Sequence, residues 1–228
     1  MTTSPKYAPV SQKTEFLADE GDQWFMRNKS ALAGASQQRD CMVQHIADQL
    51  RSDAASTVLE IGCGQGANLE HLARLRPVNA HGIDPSTQAV LSGGARNSAL
   101  HLQVGTADDL PYADQHFDVV WFGFCLYLVD RDLLQRVVAE ADRVLRDGGL
   151  LAITDFDPPE PCRRPYHHKA GLYSYKMDYS RLFLANPSYA LVQKISTGHT
   201  SGGWAPDPQE RIALYLCRKN PEQAYRLV

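Results

Sequence analysis

The chain of 228 residues has no apolar run near the roughly 18 to 20 residues that span a bilayer, so no membrane partner is expected. Its opening stretch, MTTSPKYAPVSQKTEF, lacks the apolar core of a secretory leader. Charge of one sign is also scarce: 23 Lys and Arg stand against 26 Asp and Glu, a formal net charge of -3. Nucleic-acid binding needs a basic stripe to neutralise phosphates, and Cys162-Arg163-Arg164 is too short to be one. No nucleic-acid partner is therefore expected. The five cysteines (Cys41, Cys63, Cys125, Cys162, Cys217) are odd in number and scattered, which excludes a disulfide framework. Cys63 and Cys125 fall in or beside apolar runs, as reduced buried thiols do, and a cytoplasmic location is expected. There is no internal repeat and no low-complexity tract.

What is present is a globular composition, 43% hydrophobic and 21% charged, with strands and helices in alternation. Residues 1 to about 20 are a polar arm leading into a first helix. Gln37 to Leu50 places Met42, Val43, Ile46, Ala47 and Leu50 at helical spacing. Thr57 to Ile61 predicts a strand, and Ala67 to Leu75 a helix that Pro77 closes. Asn79 to Ile83 is a second strand ending at Asp84-Pro85, with Ser86 as N-cap of the next helix. Leu100 to Val104 is a third. Phe117 to Phe124 is apolar enough for a central strand buried on both faces. A helix marked by Leu133, Leu134, Val137, Val138, Ala141, Val144 and Leu145 ends at Gly148-Gly149, and Leu150 to Thr154 is a fifth strand. The alternation predicts a parallel sheet with helices on both faces. Beyond Asp157 come a stretch rich in Pro, Tyr, His and Arg, then Tyr189 to Ser196 and Arg211 to Arg218, which predict an antiparallel hairpin.

The informative segment is Val58-Leu59-Glu60-Ile61-Gly62-Cys63-Gly64-Gln65-Gly66. A glycine-rich turn between strand and helix lets the backbone approach a ligand and aims free N–H groups at it. Asp84, at the end of the next strand, suits the ribose hydroxyls of an adenosine cofactor. The spacing G-x-G-x-G departs from the dinucleotide pattern G-x-G-x-x-G. Glu60 beside the loop is awkward for a pyrophosphate and natural for a sulfonium or α-amino group, which favours S-adenosylmethionine over NAD.

With these residues in view, the chain resembles the class I S-adenosylmethionine-dependent methyltransferases of small-molecule type. Further matches are Gly105-Thr106-Ala107-Asp108-Asp109-Leu110-Pro111-Tyr112, Phe117-Asp118 and Arg143 through Leu151, so the resemblance spans residues 55 to 157. It implies an α/β, Rossmann-like fold: a mostly parallel seven-stranded sheet, helices on both faces and a C-terminal antiparallel hairpin. It also implies methyl transfer to an O or N atom of a small molecule. Glu60, Gly62 and Gly64 would hold the methionine part, Asp84 the ribose, and Ala107 and Asp108 the adenine. Gly123 and Phe124 would lie near the sulfonium. Thr106 stands where the family often has an acid. A single domain over 1–228 follows, with an arm or lid over 1–34, a cofactor core over 55–157 and a substrate side over 158–228.

Other signals are weaker. By similarity to some small-molecule enzymes, Trp24 would cover the cofactor and Arg27 pair with its carboxylate; the alternative is an amphipathic helix packed on the sheet. His167 or His168 is a candidate general base, because imidazole titrates near neutral pH. Tyr175, with Tyr173 and Tyr179, is placed to surround a sulfonium, and Tyr127 to line the site. Cys162 with the two His residues lacks a second pair or an acid at ligand spacing, so no metal is expected. Other S-adenosylmethionine chemistry such as intramolecular cyclisation, or a non-catalytic binding protein, remains an alternative, and a homodimer is left open.

Overall fold

The structure is a computed structural model and describes residues 11–33, 37–199 and 203–225. A single turn α1 (Gln12–Glu15) and a π-helical turn (Phe16–Glu20) lead into α2 (Gly21–Ala33), and α3 (Gln37–Ala47) follows. The expected polar arm therefore becomes helix from Gln12 onward, while residues 1–10 lie outside the described part. Strands and helices then alternate as expected: β1 (Ser56–Ile61), α4 (Ala67–Leu75), β2 (Val78–Asp84), α5 (Thr87–Arg96), β3 (His101–Val104), β4 (Phe117–Gly123), α6 (Leu134–Val144) and β5 (Leu145–Phe156). Beyond them lie β6 (Cys162–Pro165), β7 (Tyr173–Lys176), α7 (Ser180–Leu184), β8 (Tyr189–Gly198) and β9 (Arg211–Lys219).

Seven strands form one sheet in the order β3-β2-β1-β4-β5-β9-β8, with β9 antiparallel to both neighbours. Two reversals make β8 run in the same direction as β5. The apolar β4 is central, and Phe117, Val119, Val120 and Phe122 have no exposed surface. Helix α6 covers it through Leu134, Val137, Ala141 and Val144, one apolar stripe at spacings of three and four. Leu134, Val137 and Val144 each contribute roughly 1.5 to 3 kcal/mol by leaving water.

Ser86 caps α5 as expected, its Oγ accepting the Ala89 N–H at 3.0 Å. The junction at Gly148-Gly149 differs from expectation. Helix α6 stops at Val144, and Leu145 already pairs with Phe117, so the glycines lie inside β5 where the register shifts before Val119 pairs Leu150. Gly148, at φ 75, is the residue that accommodates the irregularity. Residues 157 to 185, the stretch rich in Pro, Tyr, His and Arg, contain the separate two-stranded sheet β6-β7 and the short α7. Among the described residues no helix is long and apolar enough to cross a membrane.

Candidate active site

The strand order reverses direction of growth between β1 and β4, and open parallel sheets bind ligands in the crevice beyond the carboxyl ends at such a point. A cavity of about 500 Å³ lies there, within the range of small-molecule sites. Its floor is the turn after β1. Gly62, Gly64 and Gly66 all have positive φ (77, 53 and 75), a region that costs other residues energy. A Cβ at Gly62 would lie 2.6 Å from Cys125 Cβ, whereas one at Gly64 would meet nothing within 4 Å. Gly64 thus bares its backbone to the cavity.

Asp84 ends β2 against this turn. Its Oδ2 accepts the Gly64 N–H at 2.8 Å and its Oδ1 the Ser86 N–H at 2.9 Å, and each oxygen keeps a lone pair for a ligand. Burial raises its pKa, while those two N–H groups pull the other way. Ala107 and Asp108 line the far end. Burial pushes Asp108 up, but hydrogen bonds from Lys13 and Thr106 outweigh it and leave the carboxyl below its usual value. Lys13 Nζ reaches Asp108 at 2.7 Å, so α1 closes over that end.

Glu60 is fully buried and stands behind the cavity wall. Its Oε1 accepts from Asn68 Nδ2 at 2.6 Å, and a Cβ at Gly123 would collide with it. Asn68 is the member of this pair that faces the cavity, and sequence reasoning missed it. Its Oδ1 is buried with no hydrogen-bond partner.

The opposite wall is aromatic. Trp24, Phe16, Phe124 and Tyr127 line it, and Phe124 holds φ 65, a strained conformation for a bulky residue. Its N–H donates to the Thr154 carbonyl at 3.0 Å, which fixes that turn beside β5. Burial drives the Tyr127 hydroxyl far above its ordinary pKa, with the Trp24 indole pulling weakly the other way. The phenol therefore stays protonated. Burial likewise raises the thiols of Cys63 and Cys125 well above their usual value and keeps them neutral.

Of the expected residues, the cavity brings together Trp24, Gly62, Gly64, Asp84, Ala107, Asp108, Gly123, Phe124 and Tyr127. Five do not line it: Glu60 stands behind the wall, and four others lie apart. Arg27 turns away, pairing with Glu20 and reaching Tyr166 Oη at 3.2 Å, so its guanidinium is already committed. His167 and His168 are exposed, because the β6-β7 hairpin carries them on its turn into solvent. Tyr175, on β7, packs under the Arg131 guanidinium at 4.4 Å.

The structure adds one imidazole that the sequence did not single out. His199 follows directly on β8 and lines the cavity, its ring stacked on Phe124 with centroids 5.3 Å apart and planes within 3°. Its Nδ1 faces Glu210 Oε2 at 3.5 Å.

Residues 59–153 match a family model described as a methyltransferase domain. Methyltransferase GfsG of Streptomyces halstedii is 35% identical over 121 residues, covering 50% of this chain and 42% of the relative. The 27-O-demethylrifamycin SV methyltransferase of Amycolatopsis mediterranei is 34% identical over 122 residues, again 50% of this chain and 44% of the relative. The chain thus spans less than half the length of these two relatives. Among solved structures, the 1,6-didemethyltoxoflavin-N1-methyltransferase of Burkholderia thailandensis, with bound S-adenosylhomocysteine, superposes with a TM-score of 0.72. It is 14% identical, and the match covers 96% of this chain and 93% of that one, a likeness of fold.

Proposed function

We propose that this chain is a class I S-adenosylmethionine-dependent methyltransferase that moves a methyl group from that cofactor to an O or N atom of a small molecule. The observation that carries the reading is Asp84, seated on the Gly64 N–H at the floor of a cavity whose described lining has Asp84, Asp108 and Asp130 but one ammonium, Lys13, paired with Asp108. Such a lining repels a pyrophosphate and suits a sulfonium.

The residues fit the cofactor chemically. Asp84 has lone pairs for ribose hydroxyls, Asn68 Oδ1 is a buried acceptor for an α-ammonium with Glu60 behind it, and Ala107 and Asp108 flank the adenine end. Bound there, S-adenosylmethionine supplies an electrophilic methyl group. The protein's part is to hold and orient both partners and exclude water. Phe16, Trp24, Phe124 and Tyr127 do so from the acceptor side, and the arm of residues 11–33 serves as the lid over a single domain. The partner is a small molecule, and the working place is the cytoplasm.

Mass analysis of incubations with S-adenosylmethionine and hydroxylated or amine-bearing acceptors tests this reading. S-adenosylhomocysteine and an acceptor heavier by one methylene are expected. Methylthioadenosine as the by-product would instead point to cyclisation and contradict it.

A further inference from the structure

We propose that His199 is the general base of this site and that the acceptor is a neutral, planar molecule presenting a hydroxyl or N–H group. This rests on the methyl-transfer reading above and makes it more specific. The imidazole, its side chain 42% exposed, is held against the aromatic wall of the cavity. Phe124 lies flat against it, Phe156 meets it at 5.3 Å and 54°, and Tyr127 packs on both phenylalanine rings at 5.3 and 5.2 Å. The His199 backbone N–H donates to the Glu210 carbonyl at 2.8 Å, and the Glu210 carboxylate faces Nδ1. A carboxylate at Nδ1 keeps the proton there and leaves Nε2 as the basic nitrogen.

The acceptor class follows from what surrounds this imidazole. Phe124, Tyr127, Trp24, Thr154 and Ile212 line this side, and the one Lys or Arg of the described lining is Lys13, paired with Asp108. The described lining thus offers an anionic acceptor no unpaired protein cation, and burying its charge there is costly. A flat neutral ring is met by aromatic faces instead. A neutral hydroxyl or N–H group also carries a proton that has to leave. As the acceptor atom bonds to the methyl carbon and the carbon–sulfur bond breaks with its pair going to sulfur, that proton passes to Nε2, and Glu210 holds the resulting imidazolium.

Two charged groups face the ring: Glu210, from the turn before β9, and Lys176 of β7, whose ammonium lies 3.6 Å over the Phe156 ring. Burial lowers the imidazole pKa from 6.5, Glu210 opposes this and Lys176 reinforces it. The ring is therefore neutral and ready to accept a proton at pH 7.

The test uses the full chain saturated with S-adenosylhomocysteine, so that nothing turns over. The imidazole signals are followed by NMR, with His199 assigned by the spectrum of His199→Gln, while 1-naphthol or 1-naphthoate is added. 1-Naphthol is expected to move the His199 signals and to bind at least tenfold more tightly than the anion. Glu210→Gln is expected to lower the His199 titration midpoint. Equal or tighter binding of 1-naphthoate, His199 signals that ignore 1-naphthol, or an unchanged midpoint in Glu210→Gln would overturn the inference. Loss of S-adenosylhomocysteine binding in His199→Gln would also overturn it, by placing His199 on the cofactor. Failure of the wild type itself to bind S-adenosylhomocysteine would instead remove the methyl-transfer reading.

Discussion

Asp130 holds Lys13 by its backbone: Oδ2 accepts the Lys13 N–H at 2.9 Å, while Oδ1 takes the Gln12 N–H at 2.8 Å. Ser11 Oγ donates to the same carboxylate at 3.0 Å. The first turn of the N-terminal arm is thus capped by a residue from the loop after β4, and Lys13 is thereby aimed at Asp108. Asp130→Ala removes these acceptors, at a cost of about 1 to 2 kcal/mol, the usual scale of a lost cap. Most of that cost falls on the arm's closure. Hydrogen exchange over residues 12–20 is expected to quicken, and affinity for S-adenosylhomocysteine to fall about tenfold, since 1.4 kcal/mol is tenfold. Unchanged exchange would mean that the arm is held elsewhere.

The glycine turn separates stability from binding. Gly62→Ala combines a positive φ with a 2.6 Å approach to Cys125 Cβ, so backbone strain and overpacking add. A loss of roughly 2 to 4 kcal/mol in urea unfolding is expected. Gly64→Ala meets no atom and carries only the strain of φ 53, about 1 kcal/mol. Its methyl group projects into the cavity, so cofactor binding is expected to fail while the fold survives. The reverse order of effects would contradict the assignment of Gly64 to the cavity floor.

Asp155 gives a pH signature. It is 1% exposed, and burial pushes its carboxyl up from 3.8 to about 7, against the Phe156 and Tyr127 N–H groups that pull it down. Between about pH 4 and 7 the native state keeps a proton that the unfolded chain has released. Its stabilising contribution is complete below about pH 4 and is lost as pH rises through 7, at no more than about 1.4 kcal/mol per unit. Urea unfolding of wild type and Asp155→Asn at pH 5 and pH 8 checks this. The wild type should lose stability relative to the variant between the two pH values, and a constant difference would contradict it.

Much of this was legible in the sequence for definite reasons. The turn after β1 was, because three glycines at alternate positions mark a backbone that needs positive φ. Strand β4 was, because its apolar run suits burial on both faces. His199 was not, because it is remote in sequence from Phe124 and only the strand order brings them together. β8 runs the same way as β5, so its end delivers His199 to the carboxyl rim of the sheet. A histidine closing the first strand of a C-terminal hairpin was the available signal. His167 and His168 looked better placed because the segment follows β5, but pairing of β6 with β7 leads their turn outward. Arg27 likewise was read for its charge, and Glu20, one helical region earlier, already answers that charge.

Asp84 and the Gly64 turn are expected to hold an adenosyl cofactor, and calorimetric titration checks this without need of an acceptor. Wild type and Asp84→Ala are each titrated with S-adenosylmethionine, S-adenosylhomocysteine and NAD. Binding of both adenosyl compounds but not NAD, weakened at least a hundredfold in Asp84→Ala, is the predicted result. No adenosyl binding by the wild type, or equal binding by the variant, would contradict the account.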